Sequence, residues 1–210
     1  MRATTAVPDP GEATISHRYD RESMEFGRVV NLSDAVFAIA LTLLVLTLDS
    51  FEVAGLVSFG LAFLLVANVW WQHHRILAQV AWLEPGLIGL NLVLLAGVAL
   101  VPLPTSLVGN DPTSQSAVLP FIGLFILLSG VSIAMILRVQ RLRGWRRKVP
   151  VRIFRWVLID WLAAGGVLVA SLLLAIVAPL AALVLLAAAS SLTAVTVSRL
   201  GPQERRVWLF

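Results

Sequence analysis

The chain has 210 residues, of which 59% are hydrophobic and only 13% charged, with a formal net charge of +4. Soluble domains sit nearer about 45–50% apolar and about 25% charged, so an excess this large requires a surface that faces lipid. The absence of cysteine excludes a disulfide framework, a thiolate metal site and a cysteine nucleophile.

In chain order, residues 1–28 are polar and mixed in charge, with Pro8, Pro10 and Gly11. They lack an apolar core beside a small-residue cleavage site and read as a cytoplasmic tail rather than a signal peptide. A helix needs roughly 20 apolar residues to cross about 30 Å of hydrocarbon. Stretches 29–48, 53–71, 86–103, 117–137, 154–177 and 180–197 meet that need. The last two must part at Pro179, because one span of more than about 40 residues overshoots any bilayer. The segment 104–116 has turn composition and reads as a loop. The fold class expected is therefore all-α and polytopic: a tail over 1–28, a six-helix transmembrane unit over 29–198 and a second cytoplasmic tail over 199–210.

Charge sets the orientation, because Lys and Arg collect in cytoplasmic loops. With six spans, all 16 basic residues fall on one side, from Arg2, Arg18, Arg21 and Arg28 through Arg75 and the run Arg138 to Arg155, to Arg199, Arg205 and Arg206. The opposite side carries Asp49, Glu52 and Asp111 without a Lys or Arg. Both termini are thus expected to be cytoplasmic. The run from Arg138 to Lys148, with Trp145 inside it, has the composition of a nucleic-acid patch. The favoured reading is a positive-inside anchor that meets anionic headgroups along 138–155, with no nucleic-acid partner.

Polar groups inside a membrane are costly and each asks for a partner or a pathway. Asp34 lies one and a half turns into the first helix, His73, His74 and Arg75 close the second, and Asn91 enters the third from the same side. A buried network joining three helices follows, either an ion or proton site or a structural clasp. The clasp is favoured, since a fully paired polar cluster fixes helix register. His73 and His74 diverge by about 100° on a helix and do not readily share a metal ion.

Projected at about 100° per residue from Asp34, the side chains of Arg28, Leu32, Ala35, Ile39, Thr42, Leu43 and Leu46 group between roughly 80° and 180°. Asp34 itself points elsewhere. By pattern alone the aliphatic stripe is packing surface.

The segment Arg28-Val-Val-Asn-Leu32-Ser33-Asp34, followed by an apolar helix, resembles the R-x-x-x-F-S-D signature of the TMEM175 family of potassium channels, in its bacterial single-repeat branch. The resemblance continues in Trp71-Gln-His-His74-Arg, in Asn91-Leu-Val-Leu-Leu and in Val101-Pro102-Leu-Pro104-Thr105. By motif it covers residues 26–106, and by topology the whole chain. Leu32 departs from the pattern where the family has Phe. The resemblance implies a homotetramer in the cell membrane whose first helices line a central pore for potassium, with no cofactor and no enzymatic activity. Matched from the Ser-Asp pair, the pore residues implied are Ile39, Leu43 and Leu46, with Thr42 beside them. The inter-helix network implied joins Arg28, Ser33, Asp34, Trp71, His74 and Asn91.

The carbonyl-ring filter T-V-G-Y-G is absent, so selectivity is expected to arise at a narrow aliphatic ring that conducts when it widens and wets. Such a ring favours the ion that dehydrates more cheaply, potassium over sodium. Asp49 and Glu52 form a possible acidic ring at the outer mouth that concentrates cations, or an ordinary polar cap. The alternative is a secondary transporter using Asp34 and Asp160 as coupling carboxylates, although neither an internal repeat nor a midplane carboxylate supports it. A membrane enzyme comes third, with only the Asp34 and His74 group to serve it.

Overall fold

A computed structural model describes residues 18–48, 52–146 and 151–198; the tails 1–17 and 199–210 and the segments 49–51 and 147–150 lie outside the described residues. The chain is mostly helical. Helix α1, Met24–Leu43, runs directly into a single 3-10 turn, Leu44–Thr47. Helix α2 spans Val53–Gln79, α3 Pro85–Leu100, α4 Pro102–Asn110, α5 Gln115–Arg141, α6 Val151–Ala175 and α7 Pro179–Ser198. Among the described residues, four units are long and apolar enough to cross a membrane: Met24–Thr47, Val53–Gln79, Pro85–Asn110 and Gln115–Arg141. Helices α6 and α7 are also apolar and pack against each other after a tight turn at residues 176–178.

Local chemistry explains the boundaries. Ser23 caps α1 by accepting from the Phe26 N–H at 3.2 Å, with Glu25 in the first turn where the helix dipole favours a negative charge. Glu84 caps α3 by accepting from the Leu87 N–H at 3.1 Å, and Pro85 takes the first helical position, where its missing N–H costs nothing. The third span differs from expectation. Residues 102–110 are helical rather than looped, and the true connection is only 111–114. Pro102 has no N–H to offer the Val98 carbonyl, which instead accepts from Val101 at 3.1 Å. The helix therefore breaks at Val101 and restarts, and the Thr105 hydroxyl ties the restart to the Val101 carbonyl at 2.8 Å.

The second span also runs on. It continues two turns past residue 71, so His73, His74 and Arg75 lie within α2 rather than at its end. The tail expected over 1–28 is ordered from residue 18: strand β1, Tyr19–Asp20, pairs antiparallel with β2, Trp82–Leu83, in the α2–α3 connection.

The core is built from Phe37, Ala40 and Leu44 on the first span, Val66 on α2, Leu94 and Val98 on α3, and Phe121, Ile122 and Phe125 on α5. Gly97 lets α3 and α5 close, since a Cβ there would lie 2.7 Å from the Leu128 Cδ2. Burial is uneven. The most apolar stretch of the first span is only 22% buried, against 44% for Gln115–Arg141.

At one end of the bundle three segments interlock. Trp145 bridges to Val80, the Ala81 N–H reaches the Gly144 carbonyl and the Arg146 N–H the Gln79 carbonyl, both at 2.8 Å, beside the β1–β2 pair. Helix α5 reaches this end through a turn in which the Gly144 N–H bonds back to the Val139 carbonyl and the Arg143 N–H to the Gln140 carbonyl, with Arg143 in the left-handed region at φ 52°.

Candidate functional site

The first span presents two unlike faces. Ser33, Phe37, Ala40, Leu44 and Thr47 follow one another at alternating steps of four and three and are all buried. The opposite face is open: Leu32 is 47% exposed, Ile39 57%, Leu43 40% and Leu46 72%. Thr42 lies exposed among them, and its hydroxyl donates to the Ile39 carbonyl at 2.8 Å, which leaves the oxygen lone pairs directed outward. The change to 3-10 geometry after Leu43 brings residues three apart into near alignment, so Leu46 stands over Leu43. The stripe expected from the projection is thus one continuous aliphatic surface.

The buried face is fastened by side chains from two other helices. His73 Nε2 lies 2.7 Å from Asn91 Oδ1, Asn91 Nδ2 donates to Ser33 Oγ at 3.0 Å, and Ser33 Oγ donates to the Val29 carbonyl at 2.8 Å. All three side chains are buried. An amide oxygen can only accept, so His73 must carry its proton on Nε2. The Ser33 hydroxyl also lies 3.3 Å from Asn91 Oδ1, so these bonds close on one another and on a backbone carbonyl, which cannot pass a proton on. That is the arrangement of a clasp. A second branch joins α1 to α2, where the Trp70 indole N–H donates to Asp34 Oδ1 at 3.0 Å.

The resemblance implies Trp71 and His74 for this network, one residue late on α2. The bonds are made by Trp70 and His73, whereas Trp71 is 42% exposed and His74 is exposed. The face of α2 turned to its neighbours carries Val66, Trp70, His73 and Leu77, at steps of four, three and four, and residues 71 and 74 lie about 100° away from it. The ring of His74 stacks on Trp71 at a centroid separation of 6.4 Å and lies tilted against Trp70 at 5.6 Å. Arg28 is exposed at the head of the same helix. The periodicity of the buried residues on α2 was the signal that separates 70 and 73 from 71 and 74.

At the other end of the bundle Glu52 is exposed, just ahead of α2. Asp49 and the side chain of Asp160 lie outside the described residues. Asp111 is held below the ordinary carboxylate range by the Thr113 hydroxyl and N–H.

Residues 28–102, from the head of α1 to the Pro102 break, match the family model described as the endosomal/lysosomal potassium channel TMEM175. Over these residues the chain is similar to the TMEM175 family. The matched segment contains the whole clasp and the whole aliphatic stripe. A potassium channel of Streptomyces collinus is 34% identical over 100 residues, covering 41% of this chain and 48% of that protein. A potassium channel of Chamaesiphon minutus is 34% identical over 127 residues, covering 51% of this chain and 63% of that protein. The matched regions therefore span about half to just under two thirds of these relatives. The fold matches the crystal structure of a lysosomal potassium-selective channel TMEM175 homolog from Chamaesiphon minutus with a TM-score of 0.68 at 22% identity, over 83% of this chain and 98% of that one. The relatives are channels, not enzymes.

Proposed function

We propose that this chain is one subunit of a passive, potassium-permeable channel of the cell membrane. Six helices cross the bilayer, both termini face the cytoplasm, residues 29–198 form the channel domain between the tails 1–28 and 199–210, and four copies enclose a pore lined by α1. Potassium is the permeant ion and no cofactor takes part.

The observation that carries this reading is the contrast between the two faces of α1. A helix fixed on one side by a buried, fully paired clasp, yet open on the other along Ile39, Leu43 and Leu46, has its second partner outside the chain. In the tetramer that face surrounds the permeation path. The aliphatic ring excludes hydrated ions until it widens, and passage favours the ion with the lower dehydration cost. Thr42, its proton given to the Ile39 carbonyl, offers an oxygen to a partly dehydrated cation. Glu52, with Asp49, concentrates cations at the outer mouth. The convergence of segments 18–23, 80–84 and 142–146 at one end, with Arg18, Arg21, Arg141, Arg143 and Arg146 exposed there, supports a common cytoplasmic side. The basic loop 138–155 rests against anionic headgroups.

The test is a flux assay on purified protein in liposomes. Potassium should leave down its gradient without a proton gradient, and more readily than sodium. Transport only when coupled to protons would refute the channel reading.

A further inference from the structure

The cytoplasmic end of α1 is held by a second device, separate from the clasp. One guanidinium nitrogen of Arg21, Nη1, donates to the carbonyls of Leu77 and Ala78 at 3.1 Å and of Val80 at 3.3 Å. Leu77 and Ala78 lie in the last turn of α2 and Val80 is its C-cap, at the negative pole of the helix dipole; the Leu77 carbonyl also accepts from the Val80 N–H at 3.3 Å. The same guanidinium lies 5.3 Å from the ring of Phe26, a buried residue in the first turn of α1. Arg21 therefore touches both helices at once.

Its neighbours make the tie stiff. Arg18 stacks on Trp82 at 4.2 Å, and Gly144 closes on the Trp82 ring, so that a Cβ there would lie 3.5 Å from it. Only residues 21–23 separate β1 from α1, and that turn is closed by the Ser23 N–H on the Asp20 carbonyl at 2.9 Å. There is no slack for the strand to move without the helix.

The geometry points to Arg21 as a positioning residue for the pore-lining helix, a role that rests on α1 lining the pore. At 1.5 Å per residue, Met24 lies roughly 14 Å before Ser33 along the axis and Leu46 roughly 20 Å beyond it. A rod held at Ser33 and Asp34 alone can pivot, and one held there and at Arg21 cannot. Releasing the strap lets the head of α1 move, and the lever carries a somewhat larger displacement to the Leu46 end of the stripe. Arg21 thus sets how often the ring is wide enough to conduct, without touching the ions.

Single-channel recording from full-length protein in planar bilayers tests this. Arg21→Ala should change the open probability at least threefold while the potassium–sodium reversal potential stays that of the wild type. Arg21→Lys should remain close to wild type, because a single nitrogen makes all three bonds. The chain has no native cysteine, so Tyr19→Cys with Leu83→Cys, at positions that face each other across the strand pair, supplies a reversible lock. Oxidised and reduced forms of that assembled double variant should differ in open probability, with reduction reversing the change. That comparison stands even if Arg21→Ala fails to assemble. Equal open probability in the two redox forms, or an Arg21→Ala variant that assembles and gates as the wild type does, would overturn the positioning role alone. Absence of potassium current from the wild type would overturn the pore reading on which it rests.

Discussion

Trp70 donates its indole N–H to the carboxylate of Asp34 at 3.0 Å, joining α2 to α1 at the level where α3 contributes Asn91. The two contacts use adjacent residues of α1, Ser33 and Asp34, to grip two different neighbours. The acidic residue that a sequence reader would first suspect of handling ions is therefore engaged by an indole on the side away from the aliphatic stripe.

Trp70→Phe keeps the ring and deletes the donor. Losing a hydrogen bond to a charged acceptor should cost about 1.5–3 kcal/mol. Thermal unfolding in detergent should show the loss, and Asp34→Asn, which retains an acceptor oxygen, should lose less. Reversal potentials should remain those of the wild type in both variants.

Asn91 is the hub of the buried clasp, so Asn91→Leu strands the His73 N–H and removes the donor to Ser33. We expect destabilisation of about 2–4 kcal/mol, combining the unpaired buried groups with imperfect packing. Ser33→Ala should cost only about 1 kcal/mol, because His73 and Asn91 keep their mutual bond. Equal losses in the two variants would argue against a hub at Asn91.

Gly97→Ala places a methyl 2.7 Å from the Leu128 Cδ2, and Leu128 is itself buried. Overpacking of this kind should cost about 1–3 kcal/mol, and Leu128→Ala in the same chain should recover part of it. A double variant no more stable than the sum of its parts would contradict the close approach of α3 and α5.

Glu84 joins the start of α3 to Arg138, and that hydrogen bond, with help from the Gly86 and Leu87 N–H groups, holds its carboxyl below the ordinary range. A carboxyl depressed in the folded state contributes stability that is fully present above its unfolded value of about 4.3 and is lost as pH falls through its folded value. Melting temperatures of wild type and Glu84→Gln should therefore differ by a constant amount from about pH 5 to 8. The gap should close as the pH is lowered further. A gap that widens toward acid would reverse the sign assigned to this pair.

Much of this architecture was legible in the sequence because lipid imposes simple rules. Span length placed the apolar helices close to where they lie, and the split at Pro179 followed from length alone. The 100° projection set Asp34 apart from Ile39, Leu43 and Leu46, which are exposed. Four features escaped. Apolar length ends a span at the last hydrophobic residue, but the hydrogen-bond ladder of α2 runs on through polar His73 to Gln79. Composition reads Pro102 and Pro104 as loop, whereas a proline at the start of a helix lets the chain bend and continue over 102–110. The partnering of Tyr19–Asp20 with Trp82–Leu83 joins residues more than sixty positions apart, and two-residue strands leave no periodicity to find. The choice between His73 and His74 depended on which face of α2 is buried, which is settled by the packing of Val66 and Leu77.

The central claim is that Ile39, Leu43 and Leu46 face a potassium pathway. In this cysteine-free chain, single substitutions Ile39→Cys, Leu43→Cys and Leu46→Cys can be probed with a small cationic thiol reagent while potassium current is recorded. The account predicts irreversible block at all three positions and none at Ala40→Cys, which lies on the buried face. Current that persists at all three positions, or block confined to a position on another face such as Val45→Cys, would contradict it.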